Sequence, residues 1–265
     1  MRFALAYGKD NIAGKNIVEQ FKNIAFTPDI PIIELKKDSI YSDDISPKII
    51  PELRNIDFLV FCSTHKSEKN FPSLCLHAPG NWKNADLGGI PGKVCKTSSY
   101  ILKYLYKNLI KNSKVIKNKY TVTLEATHHG PHIDIPCCFI ELGSSINEWN
   151  DLIAAKIVAK TILSLKDFNK DKYNWKSAIG IGGPHYTPNF NKIQESSDYA
   201  ISHIIPSYVM PLHKSMIKEA ENKTTEQIDT VLIDWKSFKS EDRNKAIELI
   251  KNLGLNYKRT SEINK

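Results

Sequence analysis

This 265-residue chain has no internal repeat, no low-complexity tract and no CxxC pair. It also has no run approaching the ~20 apolar residues that span a bilayer, which excludes a spanning helix. Its five cysteines, Cys62, Cys75, Cys95, Cys137 and Cys138, are scattered, and all but Cys95 lie in or beside apolar runs. An odd, dispersed set of this kind reads as buried reduced thiols in a reducing compartment, and gives little support to a thiolate zinc site. The GxSxG elbow, the P-loop and the HExxH helix are missing too, which argues against a serine esterase, an NTPase and a zincin. The N-terminal MRFALAYGKD enters a strand-like run at once, without a long apolar stretch or a small-residue cleavage site, so no signal peptide and a cytoplasmic location are expected. Arginine is scarce beside lysine. The net charge of +8 and pI near 9.0 hint at a polyanionic partner. The hint is discounted, because a Lys-, Asn- and Ile-rich composition can also come from genome base bias.

What is present is an alternation of short apolar runs with helical periodicities. Strands are expected at Arg2–Tyr7, Pro31–Leu35, Ile56–Cys62, Leu74–Ala78, Tyr120–Ala126, Cys137–Leu142, Ser177–Ile181, Tyr199–Ile205 and Thr230–Trp235. Helices are expected at Ile12–Ile24, from a cap at Thr97 or Ser98 to about Asn112, at Asn147–Leu165, Leu212–Asn222 and Ser240–Leu253. Ser145 and Glu148 have the spacing of a capping box for the third of these. The pattern predicts an α/β fold, a mixed and largely parallel sheet flanked by helices. One compact catalytic domain over residues 1–265 is expected, with a two-lobe split near residue 115 as the alternative. Lys103, Lys107 and Lys111, continued by Lys114, Lys117 and Lys119, form a stripe that either follows a phosphate backbone or is a solvated helix face.

The chemistry concentrates in Glu125–Pro136, EATHHGPHIDIP, one carboxylate and three imidazoles within eight residues on a loop that leaves a strand. Every histidine except His213 falls at or just beyond an expected strand end: His65, His77, His128, His129, His132, His185 and His203. Imidazoles with carboxylates are the donor set of catalytic zinc, and Glu125 and Glu141 are the nearest carboxylates. Gly130 and Pro131 rule out a helical site, and adjacent residues of an extended loop point opposite ways, so His128 and His129 are expected to take separate roles. A second loop, GIGGPHYTP (Gly180–Pro188), brings His185 and Tyr186, and its Gly182–Gly183 amides, like that of Gly130, could face an oxyanion or simply form a turn. These loops are expected to meet in one hydrolytic pocket.

STHKS (63–67), EATHHGP (125–131), ELGSS…W (141–149), GIGGPHYTP and HIIPSY (203–208), in that order, resemble the archaeal- and plant-type D-aminoacyl-tRNA deacylases. HAPGN (77–81) looks like a variant of that family's H-x-T-G-N, with Pro79 in place of the threonine. The resemblance implies an esterase that removes D-amino acids from mischarged tRNA. It also implies two zinc ions per subunit and a core similar to peptidyl-tRNA hydrolases and phosphorylase-like proteins. On that basis His65, His128 and His203 are expected to face metal. His129, His185, Glu125 and Glu141 are expected to be catalytic, and Thr64, Gly130, Gly182, Gly183 and Tyr186 to bind substrate. A monomer acting on D-aminoacyl-tRNA without a membrane partner is expected. The alternative is a zinc amidohydrolase or peptidase for small substrates.

Overall fold

The computed structural model describes residues 1–24, 29–68 and 70–263. Among these residues, ten strands and seven α-helices follow in chain order. The first part runs β1 (Phe3–Gly8), α1 (Ile12–Ile24), β2 (Ile32–Leu35), β3 (Phe58–Lys66), β4 (Ser73–His77), α2 (Ser99–Ser113), β5 (Thr121–Leu124) and β6 (Cys137–Ser144). The second runs α3 (Ile146–Trp149), α4 (Leu152–Leu163), β7 (Lys176–Ile181), α5 (Pro188–Ser196), β8 (Tyr199–Ile205), α6 (Lys214–Asn222), β9 (Thr230–Ile233), α7 (Ser240–Asn252) and β10 (Tyr257–Arg259).

The strands form a six-stranded sheet, β2-β1-β3-β6-β4-β5, and a four-stranded sheet, β10-β9-β7-β8. All pairings are parallel except β4 with β6. The expected mixed, largely parallel arrangement is therefore present, divided between two sheets. The division falls between β6 and β7; residue 115 lies within the span of the first sheet, since β5 and β6 follow it and pair with β4 and β3.

The central strand β6 is buried along its whole length, so its two faces look into different layers. One face, through Cys138, Ile140 and Leu142, joins Val60, Leu74, Phe21 of α1, Leu105 of α2 and Val158 of α4. Burying each such large side chain contributes about 1.5–3 kcal/mol. The same cluster takes in Ala178, Phe190, Ile201 and Leu232, so apolar packing is continuous from one sheet to the other. The opposite face, through Cys137 and Phe139, joins Ala4, Ala6, Phe61 and Leu35 in a smaller cluster. It is this second face that carries the titratable residues.

Several local expectations shift. The long helix expected over Asn147–Leu165 breaks at Asn150. Ser145 and Glu148 make their capping box, but for the four-residue α3. Asp151 then caps α4 afresh, its Oδ1 accepting the Ile153 and Ala154 N–H groups at 3.0 Å each. α5 opens on Pro188 and buries only Phe190, Ile193 and Gln194, too little apolar periodicity to stand out in sequence. β10 is a three-residue edge strand and is likewise silent. Lys103 leaves the stripe: it is fully buried, and its ammonium donates to the Gln194 and Tyr199 carbonyls at 2.7 and 2.9 Å. Burial lowers its pKa to about 7.

Candidate active site

The strand register assembles the site. On β6, Glu141 lies opposite Ser63 of β3 and Cys75 of β4; His65 lies opposite Gly143, and His77 opposite Phe139. Positions 139, 141 and 143 alternate onto one face, so Glu141, His65 and His77 project to the same side of the sheet. β5 runs beside β4, with Cys75 opposite Thr123, and continues that row to Glu125. The centre is thus built on a sheet face and covered by the loops after β5 and β7, rather than held by loops alone. The two loops are stitched together: the Ala126 amide donates to the His185 carbonyl at 2.8 Å, and Thr123 Oγ1 to the Tyr186 carbonyl at 2.8 Å.

Distances within the centre are short. Glu125 Oε1 lies 3.0 Å from His185 Nε2 and 3.3 Å from His65 Nδ1. Glu141 Oε2 lies 3.6 Å from His65 Nδ1, and Glu141 Oε1 is 3.9 Å from both His77 Nε2 and His129 Nε2. The His128 ring packs against His77, His129 and His185, with centroids 4.2, 4.3 and 4.5 Å away. His65 Nε2 meets the Tyr186 hydroxyl at 3.0 Å, and His185 Nδ1 faces the Tyr208 hydroxyl at 3.4 Å.

Charge follows from these contacts. Burial alone would raise both carboxyl pKa values. His185, His65 and His77 around Glu125, and chiefly His65 and His77 around Glu141, outweigh it and hold both below the usual range. Burial pushes His65 and His77 down, but the two carboxylates overcome it and raise both. His128 is driven well down by burial and by its histidine neighbours, and His129 down to about 4 for the same reasons. Burial beside Glu125 and Glu141 pushes the Cys75 thiol well up, so it resists ionisation.

The donor set suits a metal ion. His77 Nε2 and Glu125 Oε2 are buried, have no hydrogen-bond partner and face each other at 3.9 Å. Two ligands of one zinc ion, each about 2.0–2.2 Å from it, stand roughly 3–4 Å apart. Four overlapping groups bring their ligand atoms within 4.8 Å: His77, His128 and His129; His65, Cys75 and Glu125; Glu125, His128 and His185; and His77, Glu125 and Glu141. Only the first two of these share no residue.

The remaining expected site residues are placed differently. His203 belongs to none of those groups; it is buried against Trp82, with Nδ1 3.3 Å from Thr127 Oγ1 and Nε2 3.4 Å from the Lys223 carbonyl. Thr64 pairs with Leu142 and so faces the other side of the sheet from Glu141, where Asn11 Nδ2 donates to its hydroxyl at 3.1 Å. The Gly182 and Gly183 amides turn inward, donating to the Ile205 carbonyl at 2.7 Å and to Ser237 Oγ at 2.8 Å. Both glycines have positive φ, so their part is the turn that presents His185. The Gly130 amide donates to the Leu87 carbonyl at 2.9 Å, and a Cβ there would lie 2.4 Å from the Gly88–Gly89 backbone. His132 lies outside the centre, its backbone amide held by Asp43 at 2.6 Å. His77 was only one of seven strand-end histidines in the sequence, yet it joins two of the four groups. The signal that could have found it is a histidine closing the otherwise apolar strand LCLH. A cavity of about 270 Å³, lined by Asn81, Trp82, Thr127, His128, His129 and Tyr208 among others, opens onto the centre.

Fold and site together define an α/β protein with a buried histidine–carboxylate centre beneath an open cavity. The sequence matches the profile of the family described as D-aminoacyl-tRNA deacylase over residues 52–258. It is 37% identical over 234 residues to the D-aminoacyl-tRNA deacylase of Pyrococcus furiosus, covering 86% of this chain and 83% of that protein. It is 32% identical over 270 residues to that of Methanocaldococcus jannaschii, covering 98% and 100%. A crystal structure of a conserved protein of unknown function superposes with a TM-score of 0.91 at 26% identity, covering 99% of this chain and 96% of that one. The chain belongs to the D-aminoacyl-tRNA deacylase family.

Proposed function

We infer that this chain hydrolyses the ester bond of D-aminoacyl-tRNA, releasing the free D-amino acid and tRNA. Family membership supplies the substrate, and the Glu125–His185 contact at 3.0 Å is the observation that carries the chemistry. His185 is the reachable member of that pair, its side chain 34% exposed while that of Glu125 is fully buried. With Nε2–H donating to Glu125, the ring is held in the tautomer that leaves Nδ1 as an acceptor beside the hydroxyl of Tyr208, a residue that lines the cavity. There it takes the proton of an attacking water and returns it to the departing ribose oxygen. Glu125 orients the ring and offsets the charge that develops on it. Tyr186, through His65, braces the same Glu125 oxygen that His185 meets.

The residues present fit a metal, and zinc is the ion proposed. His77 would hold the ion, with Glu125 and Glu141 or with His128 and His129 at hand as its further ligands. Zinc, when bound, supplies Lewis acidity that makes water easier to deprotonate near neutral pH and polarises an ester carbonyl. His128 and His129 suit that role because their surroundings keep them neutral, with lone pairs available. A monomer is the oligomeric state proposed. No described helix is long and apolar enough to cross a membrane, and with tRNA as substrate a cytoplasmic enzyme is the location proposed.

The test is deacylation of D- and L-tyrosyl-tRNA with and without chelator. D-tyrosyl-tRNA should be hydrolysed, L-tyrosyl-tRNA spared, and chelator should abolish the activity. Equal hydrolysis of both, or of neither, removes the reading; D-specific activity that survives chelation removes the metal alone. His185→Ala should lower kcat by about 10²–10⁴-fold, the usual contribution of general acid–base catalysis.

A further inference from the structure

The structure sorts the lysines that the sequence lays out as one stripe. Lys103 is buried, Lys107 donates to the Glu195 carbonyl at 3.2 Å, and Lys119 pairs with Asp151 at 2.7 Å. Lys114 and Lys117, just beyond α2, are exposed and, among the described residues, have no ion-pair partner. Lys192 of α5 is exposed in the same way and lines the same cleft. The cleft measures about 410 Å³, with Tyr106, Tyr120 and Asn191 in its lining and Glu195 as its one acidic group. Three ammonium groups set against one carboxylate leave it cationic.

The cleft is joined to the catalytic centre. Asn191, in its wall, donates through Nδ2 to the Tyr186 carbonyl at 3.0 Å and accepts the Leu124 amide at 2.7 Å. The Tyr186 hydroxyl in turn meets His65. A single loop and helix, from His185 through α5, thus has its start at the chemistry and its middle at the lysines.

We propose that this cleft docks the phosphate backbone of the substrate's tRNA stem while the 3′ ester lies at the histidine–carboxylate centre. The inference rests on the D-aminoacyl-tRNA reading above. Unpaired lysines around aromatic and apolar side chains match a sugar–phosphate backbone, which offers evenly spaced charge over less polar riboses. A small amide or ester substrate would have no contact with this cleft.

The test compares D-tyrosyl-tRNA with D-tyrosyl-adenosine ester, which keeps the reacting end and lacks the stem, in the full-length chain. In the triple variant Lys114→Ala/Lys117→Ala/Lys192→Ala, the ratio of kcat/KM for the tRNA to that for the adenosine ester should fall about tenfold or more, and the log–log salt dependence should become shallower by up to about three. The corresponding triple Lys→Arg variant should keep the wild-type ratio, since the positive charge is retained. A ratio unchanged in the alanine variant, or a fall as large in the arginine variant, overturns the docking surface. Wild-type protein without activity on D-tyrosyl-tRNA overturns the parent reading itself, which separates the two failures.

Discussion

His203 shows how one residue can follow the strand-end rule and still stand apart from the centre. It closes on β8 as a histidine near a strand end, but its ring packs edge-on to Trp82 and both nitrogens face protein partners. Burial lowers its pKa to about 4, so the folded state keeps it neutral. The unfolded chain binds the proton from about pH 6.5 downward. Between those values the unfolded state holds more protons, so stability falls as pH drops through the window from about 6.5 to 4, by on the order of 2–3 kcal/mol for this one residue. Urea unfolding of His203→Gln at pH 4.5 and pH 7 should therefore show a smaller acid loss than wild type, whatever the variant's stability at neutral pH. The same loss in both proteins would exclude His203 as its source.

The carboxylates were legible for a different reason. They are the carboxylates nearest the histidine loops in sequence, and a charge buried on β6 or at the end of β5 needs partners. Which partners it has was not legible. His77 joins the centre because the antiparallel pairing of β4 with β6 sets it opposite Phe139, two positions from Glu141. Thr64 leaves it because it pairs with Leu142, one position from Glu141, and a one-residue step reverses the face.

Among the elements, α5 has the largest consequence for the centre. Its Asn191 accepts the Leu124 amide and donates to both Thr123 Oγ1, at 2.9 Å, and the Tyr186 carbonyl, fixing the His185–Tyr186 loop against β5. Asn191→Ala leaves the Leu124 amide without a partner and removes one of the two donors to the Tyr186 carbonyl, and should cost about 1–3 kcal/mol in urea unfolding. It should also lower kcat by about tenfold or more, because a small displacement of the loop moves the reacting groups out of line. Loss of stability with kcat intact would show that the loop is held by other means. α5 was invisible in the sequence because its anchor is a polar side chain, and hydrophobic periodicity records only apolar ones. The break between α3 and α4 was hidden similarly: the apolar spacing runs on past Asn150 and Asp151, while the side-chain cap restarts the helix.

For the molecule as a whole, the two sheets share one apolar cluster, so we propose a single unit that melts in one transition. A metal held by residues of β4, β6 and the loop after β5 would bind the folded chain and find no such site in the unfolded one. Zinc at about 100 times its dissociation constant then adds about 2.7 kcal/mol, which for a chain of this size is a rise of roughly 5–10 °C in Tm. Thermal denaturation of chelated and zinc-loaded protein measures this, and His128→Ala should shrink the difference. An identical Tm with and without zinc would count against the metal. The net charge of +8 does not say where unpaired basic groups gather; packing decides that, by burying Lys103, pairing Lys119 and bringing Lys192 into one cleft with Lys114 and Lys117.

By itself the sequence determined the order of every strand but β10 and of every helix but α5, with α3 and α4 read as one, together with the α/β class and the two histidine loops, because periodicity, caps and Gly–Pro breaks act within a few residues along the chain. Its motifs also pointed to the family. Only the tertiary structure decided that the centre lies on one face of β6 beneath those loops, that His77 enters it while His203 and Thr64 do not, and that the Gly182 and Gly183 amides hold a turn. Those outcomes depend on strand register and on partners distant in sequence, such as Glu125 with His185 and Asn191 with Leu124, for which a linear pattern carries no signal.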